Sequence, residues 1–562
     1  MRVVFFAKPL FIVMVFCVGV MSHAQYRDTS IFFFESDAVI KIANTQKIKE
    51  NPVFPDTSAI TPAMKYGISS VPVSPPLVLN PMKAAVLEGT PLKKLYPGLI
   101  KAGFGNYTTP LLDFSFGSLR SRTLNYGFRA MHHSSRATLE NSGFSGFSDN
   151  LLSGHTKYFL RKHTLSGTAG YERNAVHYFG FNPELHDISN RELTFQAFNT
   201  FNLSGEIKSH YHDSSKLNHK VNLDYYIQND LFDVMENNVK LKAEGGKEIN
   251  HQFFGSRVYV NYLNDRMGVK DTANSTILGL EPFVKYTGKK IRASVGLNMA
   301  LDLAAKNRFY FYPNLEVQFN IADYILVPYA GIGGGLNRNS YYSLRNDNPF
   351  LVPTVALNLR NTDEKFLVYG GLRGSISKSL SYDLSARYTL VNDLVLYATD
   401  TGNVLSPTLY QMLQNRFVVV YDSGNVLNLK GQIKFNSGKR FSFMMEGSYY
   451  RYSLKNHRFA WHLPGIELAF RAEYNLRDKI YLKSSVFYTG ERFAPVRKTA
   501  NNPDGYVILK GFADLNLGLE YRYNKRTSFF ANFNNLSGGR YYRWHNYPVQ
   551  RLNALGGATW AF

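Results

Sequence analysis

The last twelve residues of the chain, 551–562, alternate between two sets of positions. One set carries Leu552, Ala554, Gly556, Ala558, Trp560 and Phe562. The other set carries Asn553, Leu555, Gly557, Thr559 and Ala561. Because side chains in a strand point to opposite faces with a period of two, we predict one β-strand that runs to the terminal carboxylate. Two kinds of protein can end in this way: a soluble all-β domain and a transmembrane barrel.

The residue at the very end of this strand favours the second kind. A terminal aromatic such as Phe562 resembles the C-terminal signal of bacterial outer-membrane β-barrels, which their assembly machinery reads. The resemblance implies that the barrel-assembly machinery is a partner of this chain, through the strand that ends in Phe562.

The N-terminus has the three parts of a secretory signal peptide. Arg2 and Lys8 supply positive charge, residues 10–21 are almost wholly apolar, and residues 22–24 form a small-x-small cleavage site. We therefore predict a signal peptide over residues 1–24, with Gln25 as the first mature residue. The apolar run is shorter than the about 20 residues that a transmembrane helix needs.

Cysteine usage limits the chemistry of the mature chain. Cys17 is the only cysteine, and it lies inside the apolar run of the signal peptide. After cleavage no cysteine remains, so we expect no disulfide, no thiolate metal site and no cysteine nucleophile.

The composition of the remaining chain is typical of a transmembrane barrel. No second apolar run is long enough for a membrane helix, yet 15% of the residues are aromatic, with 38 Tyr and 42 Phe. Barrels combine weakly amphipathic strands with aromatic girdles at both membrane interfaces. A secreted sandwich or propeller also alternates, but it hides its apolar face and rarely needs so many aromatic residues. We therefore predict the bacterial outer membrane as the location and its lipid as a partner.

The net charge of +22 suggests anionic surroundings, such as lipid headgroups. The basic residues are spread along strands and turns, without a dense cluster or a known binding motif, so no nucleic-acid partner is predicted.

The chain divides into three segments. Nine of the 22 prolines lie between Pro52 and Pro97, and proline removes the donors of a strand ladder. We predict that residues 25–96 form a proline-rich periplasmic segment outside the sheet, after the signal peptide of residues 1–24. Residues 97–562 then form the outer-membrane barrel.

Repeated alternation begins at Tyr96 and continues to the end of the chain. Clean runs cover 221–228, 291–303 and 513–524, with apolar side chains on one face and polar ones on the other. Counting such runs predicts an all-β fold, a transmembrane antiparallel up-and-down β-barrel of about 22 strands (range 18–22). Short polar turns alternate with longer links, which we assign to the periplasmic and extracellular rims respectively. The longer links are 139–148, 181–190, 337–362, 399–415, 455–464 and 490–510.

Three segments carry a resemblance to TonB-dependent receptors. Residues 534–557, with Tyr547-Pro548 and Gly556-Gly557, look like the last hairpin of these receptors. Residues 348–371 are similar to mid-barrel segments of the superfamily, and 96–110 resemble the first strands in a subgroup of it. The likeness covers residues 96–562 and implies the barrel of this superfamily, but it does not indicate a substrate.

The chain also departs from that family. TonB-dependent receptors carry a folded plug before the barrel, whereas residues 25–96 are proline-rich and have no plug-like pattern. The resemblance implies passage of a solute across the outer membrane, with a periplasmic partner or a separate plug protein. An alternative is a membrane scaffold subunit of a secretion or envelope-assembly complex, and a third is an outer-membrane hydrolase. We predict that the protein is not an enzyme.

No side-chain constellation predicts a catalytic, cofactor or metal site. His210 and His212 share one strand face and His219 follows, but these histidines have no evident carboxylate partner. Residues 331–335 (Gly-Ile-Gly-Gly-Gly) lack the following helix that a phosphate loop needs, so their glycines are predicted to relieve crowding in the wall. No G-x-S-x-G elbow occurs. Four charged residues are predicted to face a wet lumen as solvated wall residues: Arg292, Asp302, Glu520 and Arg522.

Overall fold

A computed structural model describes residues 94–562 of the chain. Within that range it leaves out 187, 189, 212–215, 251, 269–270, 305, 323, 402–408 and 501. The predicted signal peptide, nearly all of the predicted periplasmic segment and His212 therefore lie outside the described residues.

The described part of the chain is built almost entirely from β-strands. The strands are β1 Gly98–Gly105, β2 Thr109–Gly117, β3 Leu124–Ser135, β4 Phe147–Phe159, β5 His163–His177, β6 Phe195–Ser209, β7 Asn218–Asn229, β8 Val234–Ile249, β9 Gln252–Met267, β10 Asp271–Thr287, β11 Ile291–Leu303, β12 Arg308–Phe319, β13 Val327–Asn337, β14 Thr362–Ser375, β15 Leu380–Thr399, β16 Phe417–Ser437, β17 Phe441–Leu454, β18 Ile466–Leu476, β19 Ile480–Thr489, β20 Arg492–Pro495, β21 Tyr506–Leu509, β22 Phe512–Arg522, β23 Thr527–Asn534, β24 Tyr542–Trp544, β25 Tyr547–Pro548 and β26 Asn553–Ala561. The helices are α1 Tyr341–Asp347 and α2 Leu409–Leu413, with 3-10 turns at Arg191–Thr194 and Pro353–Asn358. None of these helices is long and apolar enough to cross a membrane.

Twenty-two of these strands form one closed antiparallel sheet. Each barrel strand pairs with the next one along the chain, and β26 pairs with β1. The predicted fold class and the strand number of 22 are thereby confirmed. The predicted run at 291–303 coincides with β11, whereas the run at 513–524 corresponds to β22, Phe512–Arg522. The remaining four strands form two small hairpins, β20–β21 and β24–β25, within long connections.

The pairing of the first and last strands closes the barrel. Its register runs from Leu99 opposite Ala561 to Gly105 opposite Leu555. Beyond it, the Gly98 amide donates to the Phe562 carbonyl oxygen at 3.1 Å, and the Phe562 amide donates to the Gly98 carbonyl oxygen at 3.0 Å. In lipid every backbone polar group needs an internal partner, so this closing pair removes the edges that an open sheet would expose.

The alternation of each strand separates an outer surface from a lumen wall. On β11, Val295 and Leu297 are exposed, while Asp302 accepts a hydrogen bond from Asn361 in the connection that enters the lumen. Odd-numbered positions of β11 therefore face outward. Exposed aromatic side chains on the outer surface form two levels, one near each rim. They include Tyr126, Tyr158, Phe254, Tyr286, Tyr474, Tyr521 and Trp560 near one rim, and Tyr171, Phe201, Tyr262, Phe309, Tyr449, Tyr488 and Phe533 near the other.

The spacing of the two aromatic levels matches a membrane. Phe254 and Tyr262 lie eight residues apart on β9, which corresponds to about 26 Å of strand at roughly 3.3 Å per residue. With the strand tilt of about 40° that is common in such barrels, the rise is about 20 Å, close to the height of the apolar band of outer-membrane barrels.

The glycine run at 331–335 lies within β13, as predicted. A Cβ at Gly331 would come within 2.4 Å of the Tyr369 ring, and one at Gly334 within 2.6 Å of the Tyr312 ring. The pairing of β13 with β14 also shifts register between Gly333 and Gly335. The glycines thus admit large inward rings and a bulge in the wall, and no helix follows them directly.

The connections differ strongly between the two rims. At the short-turn rim, which contains the turns 160–162, 288–290, 438–440 and 477–479, ten connections total 43 residues. At the long-loop rim, eleven connections total 134 residues. The predicted division into tight turns and long links is confirmed.

A substitution in the closing strand pair tests the barrel closure. A Cβ at Gly557 would lie 2.1 Å from the Ala102 carbonyl oxygen and 2.6 Å from the Gly103 Cα, both on the backbone of β1. We expect Gly557→Ala to force the two strands apart and to lower the free energy of unfolding by about 1–3 kcal/mol. Urea unfolding of the barrel in lipid vesicles measures the change.

Gly556 is the matched control, because the nearest atom to a Cβ there is the Phe530 carbonyl oxygen at 3.7 Å. Gly556→Ala should unfold at nearly the same urea concentration as the native chain. Equal effects of the two substitutions would contradict the proposed contact with β1.

Candidate functional site at the long-loop rim

The connection 338–361 between β13 and β14 folds into the lumen. Its Arg345 guanidinium donates to Gln228 Oε1 at 2.7 Å, to Asn174 Oδ1 at 3.0 Å and to Thr200 Oγ1 at 3.0 Å. These partners lie on β7, β5 and β6. Because β5 precedes β13 by eight places among 22 strands, the connection spans more than a third of the circumference. It reaches these side chains by crossing the lumen.

Helix α1 begins on a buried carboxylate of the barrel wall. Ser340 caps the helix and forms a capping box with Ser343. The amide of Tyr341 donates to Glu236 Oε2 at 2.6 Å, and the amide of Tyr342 donates to Glu236 Oε1 at 3.0 Å. The carboxylate on β8 thus accepts from free amides of the first turn, where the helix dipole favours negative charge.

Two further side chains anchor the same connection. The Tyr341 hydroxyl donates to Asp230 Oδ2 at 3.0 Å, and burial raises the pKa of both groups. Arg338 donates to the carbonyl oxygens of Asn261 at 2.8 Å and of Ser275 at 3.3 Å, and burial lowers its pKa. The connection is therefore tied by hydrogen bonds to successive strands from β5 to β10.

Above this polar layer, several connections pack into one apolar core. Its buried members are Val176, Tyr178, Phe198, Val234, Tyr341, Leu344, Phe350, Leu351, Val352, Val355, Ala356, Tyr397, Phe417 and Tyr547. Phe350 stacks on Tyr547 with ring centroids 3.7 Å apart. The Tyr178 hydroxyl donates to the Leu351 carbonyl oxygen at 3.0 Å, and the Tyr547 hydroxyl donates to the Asn415 carbonyl oxygen. Residues from four different connections thus meet in the lumen.

The last three connections complete the structure. The Trp544 ring lies 5.0 Å from the Tyr397 ring and 5.2 Å from the His462 ring, measured between centroids. Arg492 on β20 donates to the carbonyl oxygens of Arg543 and Tyr542, each at 2.7 Å. We call the described parts of the connections 178–194, 338–361, 400–416, 455–465, 490–511 and 535–552 the loop cap.

Two histidines of the loop cap, the buried His462 and the half-buried His545, are held in the neutral form. Burial lowers the pKa of His462 to about 3 and that of His545 to about 4. The His462 Nδ1 atom lies 2.8 Å from the Tyr397 carbonyl oxygen, and the positive charge of Arg492 disfavours protonation further. The loop cap therefore excludes charge at both rings.

The four charged residues predicted for the lumen wall do not form one site. Asp302 lies beneath the loop cap and accepts from Asn361 at 2.9 Å. Arg522 contacts Glu520 at 3.4 Å and donates to the Tyr481 hydroxyl at 2.7 Å, near the short-turn rim. Arg292 lines a separate cavity of about 350 Å³ at that rim. They are wall residues, as predicted.

Two of the histidines singled out in the sequence, His210 and His219, lie near the short-turn rim. His210 Nε2 is 2.7 Å from Thr164 Oγ1, and the His219 ring lies 5.3 Å from the His163 ring. Among the described residues, no group of three or more His, Cys, Asp or Glu side chains could hold a metal ion.

The residues that build the loop cap were missed by the sequence analysis, which treated 337–362 as an extracellular link. One signal could have found them. Residues 350–356 (Phe-Leu-Val-Pro-Thr-Val-Ala) are unusually apolar for an exposed loop, and an apolar stretch of that kind is expected to be buried.

The barrel fold is shared with solved outer-membrane receptors. It is similar to the FrpB iron transporter from Neisseria meningitidis, with a TM-score of 0.63 and 9% identity over 84% of this chain and 82% of that chain. It is also similar to the siderophore receptor PirA from Acinetobacter baumannii, with a TM-score of 0.62 and 9% identity over 84% and 81%. The pyoverdine outer membrane receptor FpvA from Pseudomonas aeruginosa gives a TM-score of 0.60 and 10% identity over 84% and 79%.

No protein-family model and no curated protein sequence matches the chain. At these identities the likeness establishes the fold alone. The closed barrel of 22 strands and its outward apolar band, together with this likeness, show a transmembrane β-barrel with the fold of these outer-membrane receptors and agree with the predicted location in the bacterial outer membrane.

Proposed function

We propose that the protein passes a polar solute across the outer membrane through the barrel lumen. In this proposal the loop cap closes the lumen at the long-loop rim until it is displaced. The observation that carries the proposal is Arg345, which ties the inward connection 338–361 to three strands of the wall by side-chain hydrogen bonds.

The lumen wall supports a polar solute. Arg257 on β9 pairs with Glu244 at 3.0 Å and also with Glu281. Arg129 pairs with Asp113 at 2.7 Å, with both side chains about one quarter exposed. Such partly exposed pairs are worth little to stability in water, but they line the path with hydrated donors and acceptors, which suits a polar solute better than an apolar one.

The connection 338–361 can move away from the lumen without unfolding the barrel. The ladder that closes the barrel runs between neighbouring strands and from β26 to β1, and the connection 338–361 adds to it only a bridge between Leu351 and Phe417 at the start of β16. Moving this connection would break its own contacts and leave the ladder intact. Loops and lids that open during binding commonly belong to parts of a fold that can unfold locally while the rest stays folded.

The similar structures support a transport role rather than an enzymatic one. They are an iron transporter, a siderophore receptor and a pyoverdine receptor. We propose a non-enzymatic function of the same broad kind for this chain, without assigning it their ligands. A permanent loop cap would instead favour the scaffold role, and the conductance experiment below separates the two.

The N-terminal part of the chain enters the proposal on sequence grounds. We propose that residues 1–24 are removed on export and that residues 25–96 fill part of the lumen or bind a periplasmic partner, which could be a separate plug protein. We also propose that the strand ending in Phe562 is read by the barrel-assembly machinery.

Conductance in planar lipid bilayers tests the transport proposal. We compare the mature chain with variants in which 338–361 is replaced by a short Gly-Ser linker, in which 25–93 is deleted, and in which both changes are made. We expect the double variant to conduct, because it lacks the connection that crosses the lumen, and a barrel of this size whose loop cap is opened is a wide pore. A Gly-Ser replacement of 304–307, a connection outside the loop cap, is the control and should conduct no more than the native chain. Absence of conductance in all variants would overturn transport and favour the scaffold.

A substitution at Arg345 tests how the loop cap is held. Arg345→Ala leaves the buried Gln228 and Thr200 and the half-buried Asn174 without this donor, and an unsatisfied buried polar group costs about 1–3 kcal/mol. We expect hydrogen exchange in 341–347 to accelerate by roughly tenfold or more. Arg360→Ala is the control, since the Arg360 side chain is exposed and its partners are partly exposed, Asp393 at 3.4 Å and the Tyr421 ring at 5.5 Å. Unchanged exchange in Arg345→Ala would show that the loop cap does not depend on this residue.

The two neutral histidines predict a pH dependence of the loop cap. Their pKa values are about 3 and 4 in the closed state, whereas an exposed histidine titrates near 6.5. The closed state therefore has its full stability above about pH 6.5, and each histidine removes up to about 1.4 kcal/mol per pH unit as the pH falls from there. Protease cleavage within 455–465 or 535–552 should accelerate from pH 7 to pH 4.

A variant with His462→Gln and His545→Gln serves as the control for this pH dependence. Glutamine does not titrate in this range, so the cleavage rate of the variant should change less between pH 7 and pH 4. A slope equal to that of the native chain would exclude these histidines as its cause.

A further inference from the structure

The short-turn rim carries a dense ring of positive charge. Its ten connections contain fourteen Lys and Arg residues among 43 residues, against three Asp. The cations are Arg120, Arg122, Arg161, Lys162, Lys216, Lys289, Lys290, Lys378, Lys439, Arg440, Arg477, Lys479, Lys525 and Arg526. The long-loop rim has seventeen cations and ten acids among 134 residues. The short-turn rim therefore carries a net charge of +11 on 43 residues, whereas the long-loop rim carries +7 on 134 residues.

All fourteen of these side chains are exposed. They occupy eight of the ten short connections, so they surround the barrel rather than cluster in one sector. The lumen-wall cations Arg129, Arg257 and Lys430 form ion pairs with carboxylates on neighbouring strands, and Arg129 and Arg257 are less exposed than the cations of the turns. The cations of the short turns are therefore placed to meet an anionic partner that also surrounds the barrel.

The outer surface next to these turns is built for a membrane interface. Tyr126 and Tyr158 flank the turns at Arg122 and Arg161, and Tyr521 lies close to the turn that carries Lys525. These tyrosines belong to the exposed outward aromatic level. Aromatic side chains settle at the headgroup level of a bilayer, and adjacent Lys and Arg side chains can extend into the headgroups.

We propose that the short-turn rim binds the headgroups of anionic phospholipids in the adjacent leaflet, all around the barrel. A protein partner would contact one sector, whereas a lipid leaflet contacts every turn, and the cations are distributed in that second manner. Anionic lipid attracts each nearby Lys or Arg through the surface potential of the leaflet. This inference is independent of whether the lumen conducts.

The test uses the mature chain reconstituted in vesicles of phosphatidylcholine, with or without roughly one third phosphatidylglycerol. Lipids that remain bound after detergent extraction are identified by mass spectrometry. We expect phosphatidylglycerol to be enriched on the native chain relative to the vesicle. A variant with Lys289→Gln, Lys290→Gln, Lys439→Gln, Arg440→Gln, Lys525→Gln and Arg526→Gln should lose about half of that enrichment or more, since it removes six of the cations that act additively.

The matched control removes charge from the long-loop rim. A variant with Lys306→Gln, Lys455→Gln, Lys498→Gln and Lys510→Gln changes exposed lysines there and should keep the native enrichment. Salt at about 0.5 M should weaken the enrichment of the native chain, because the screening length then falls to a few Å. Urea unfolding in pure phosphatidylcholine shows whether the short-turn variant still folds as the native chain does.

Two results would overturn the proposal. One is equal binding of phosphatidylglycerol and phosphatidylcholine by the native chain. The other is an enrichment that survives in a folded short-turn variant, or that falls equally in the long-loop control, because the lipid would then not be held by this ring of turns.

Discussion

The hydrogen-bonded pairing of β1 with β26 is the interaction on which the rest of the structure depends. Backbone groups in lipid have no water to bond, so a sheet of 22 strands is stable in a membrane only when its first and last strands meet. Closure then creates a lumen with a polar wall, and only within that enclosed space can the connection 338–361 find partners on strands distant from its own. Gly557 permits this pairing because it admits the β1 backbone at close range.

Apolar and polar surfaces alternate from the outside of the barrel to its interior. Its outer surface is apolar because it faces lipid, its wall is polar because it faces water, and the loop cap inside the wall contains a second apolar core. Helix α1 has only seven residues, too few for a helix to be stable alone. The buried Glu236 and the three partners of Arg345 therefore hold it, so this closure of the lumen depends on contacts that only the closed barrel brings together.

The two rims have different physical characters. At the long-loop rim the connections pack on one another. This burial keeps His462 and His545 uncharged. The same connections hold few exposed cations for their length. The short-turn rim is shaped by charge, with tight polar turns that cannot pack a core and that present Lys and Arg to their surroundings. A solute would thus meet a packed closure at one end of the barrel and a strongly positive ring at the other.

The alternation of apolar and polar residues was sufficient to predict the fold class, the strand number and the division of the rims. Successive side chains of a barrel strand face lipid and lumen in turn, so the sequence of each strand shows both environments. The run 291–303 became β11 for that reason, and Arg292 and Asp302 became wall residues. Alternation says nothing about where a long connection goes. The contact of Arg345 with Asn174 joins residues 171 positions apart, and that of Trp544 with Tyr397 joins two other distant segments. The sequence by itself determined a transmembrane barrel with tight turns at one rim and long links at the other. Only the tertiary structure decided that cations spread along the sequence gather at the short-turn rim and that the long connections pack together inside the barrel, because both arrangements bring together segments that are distant in the chain.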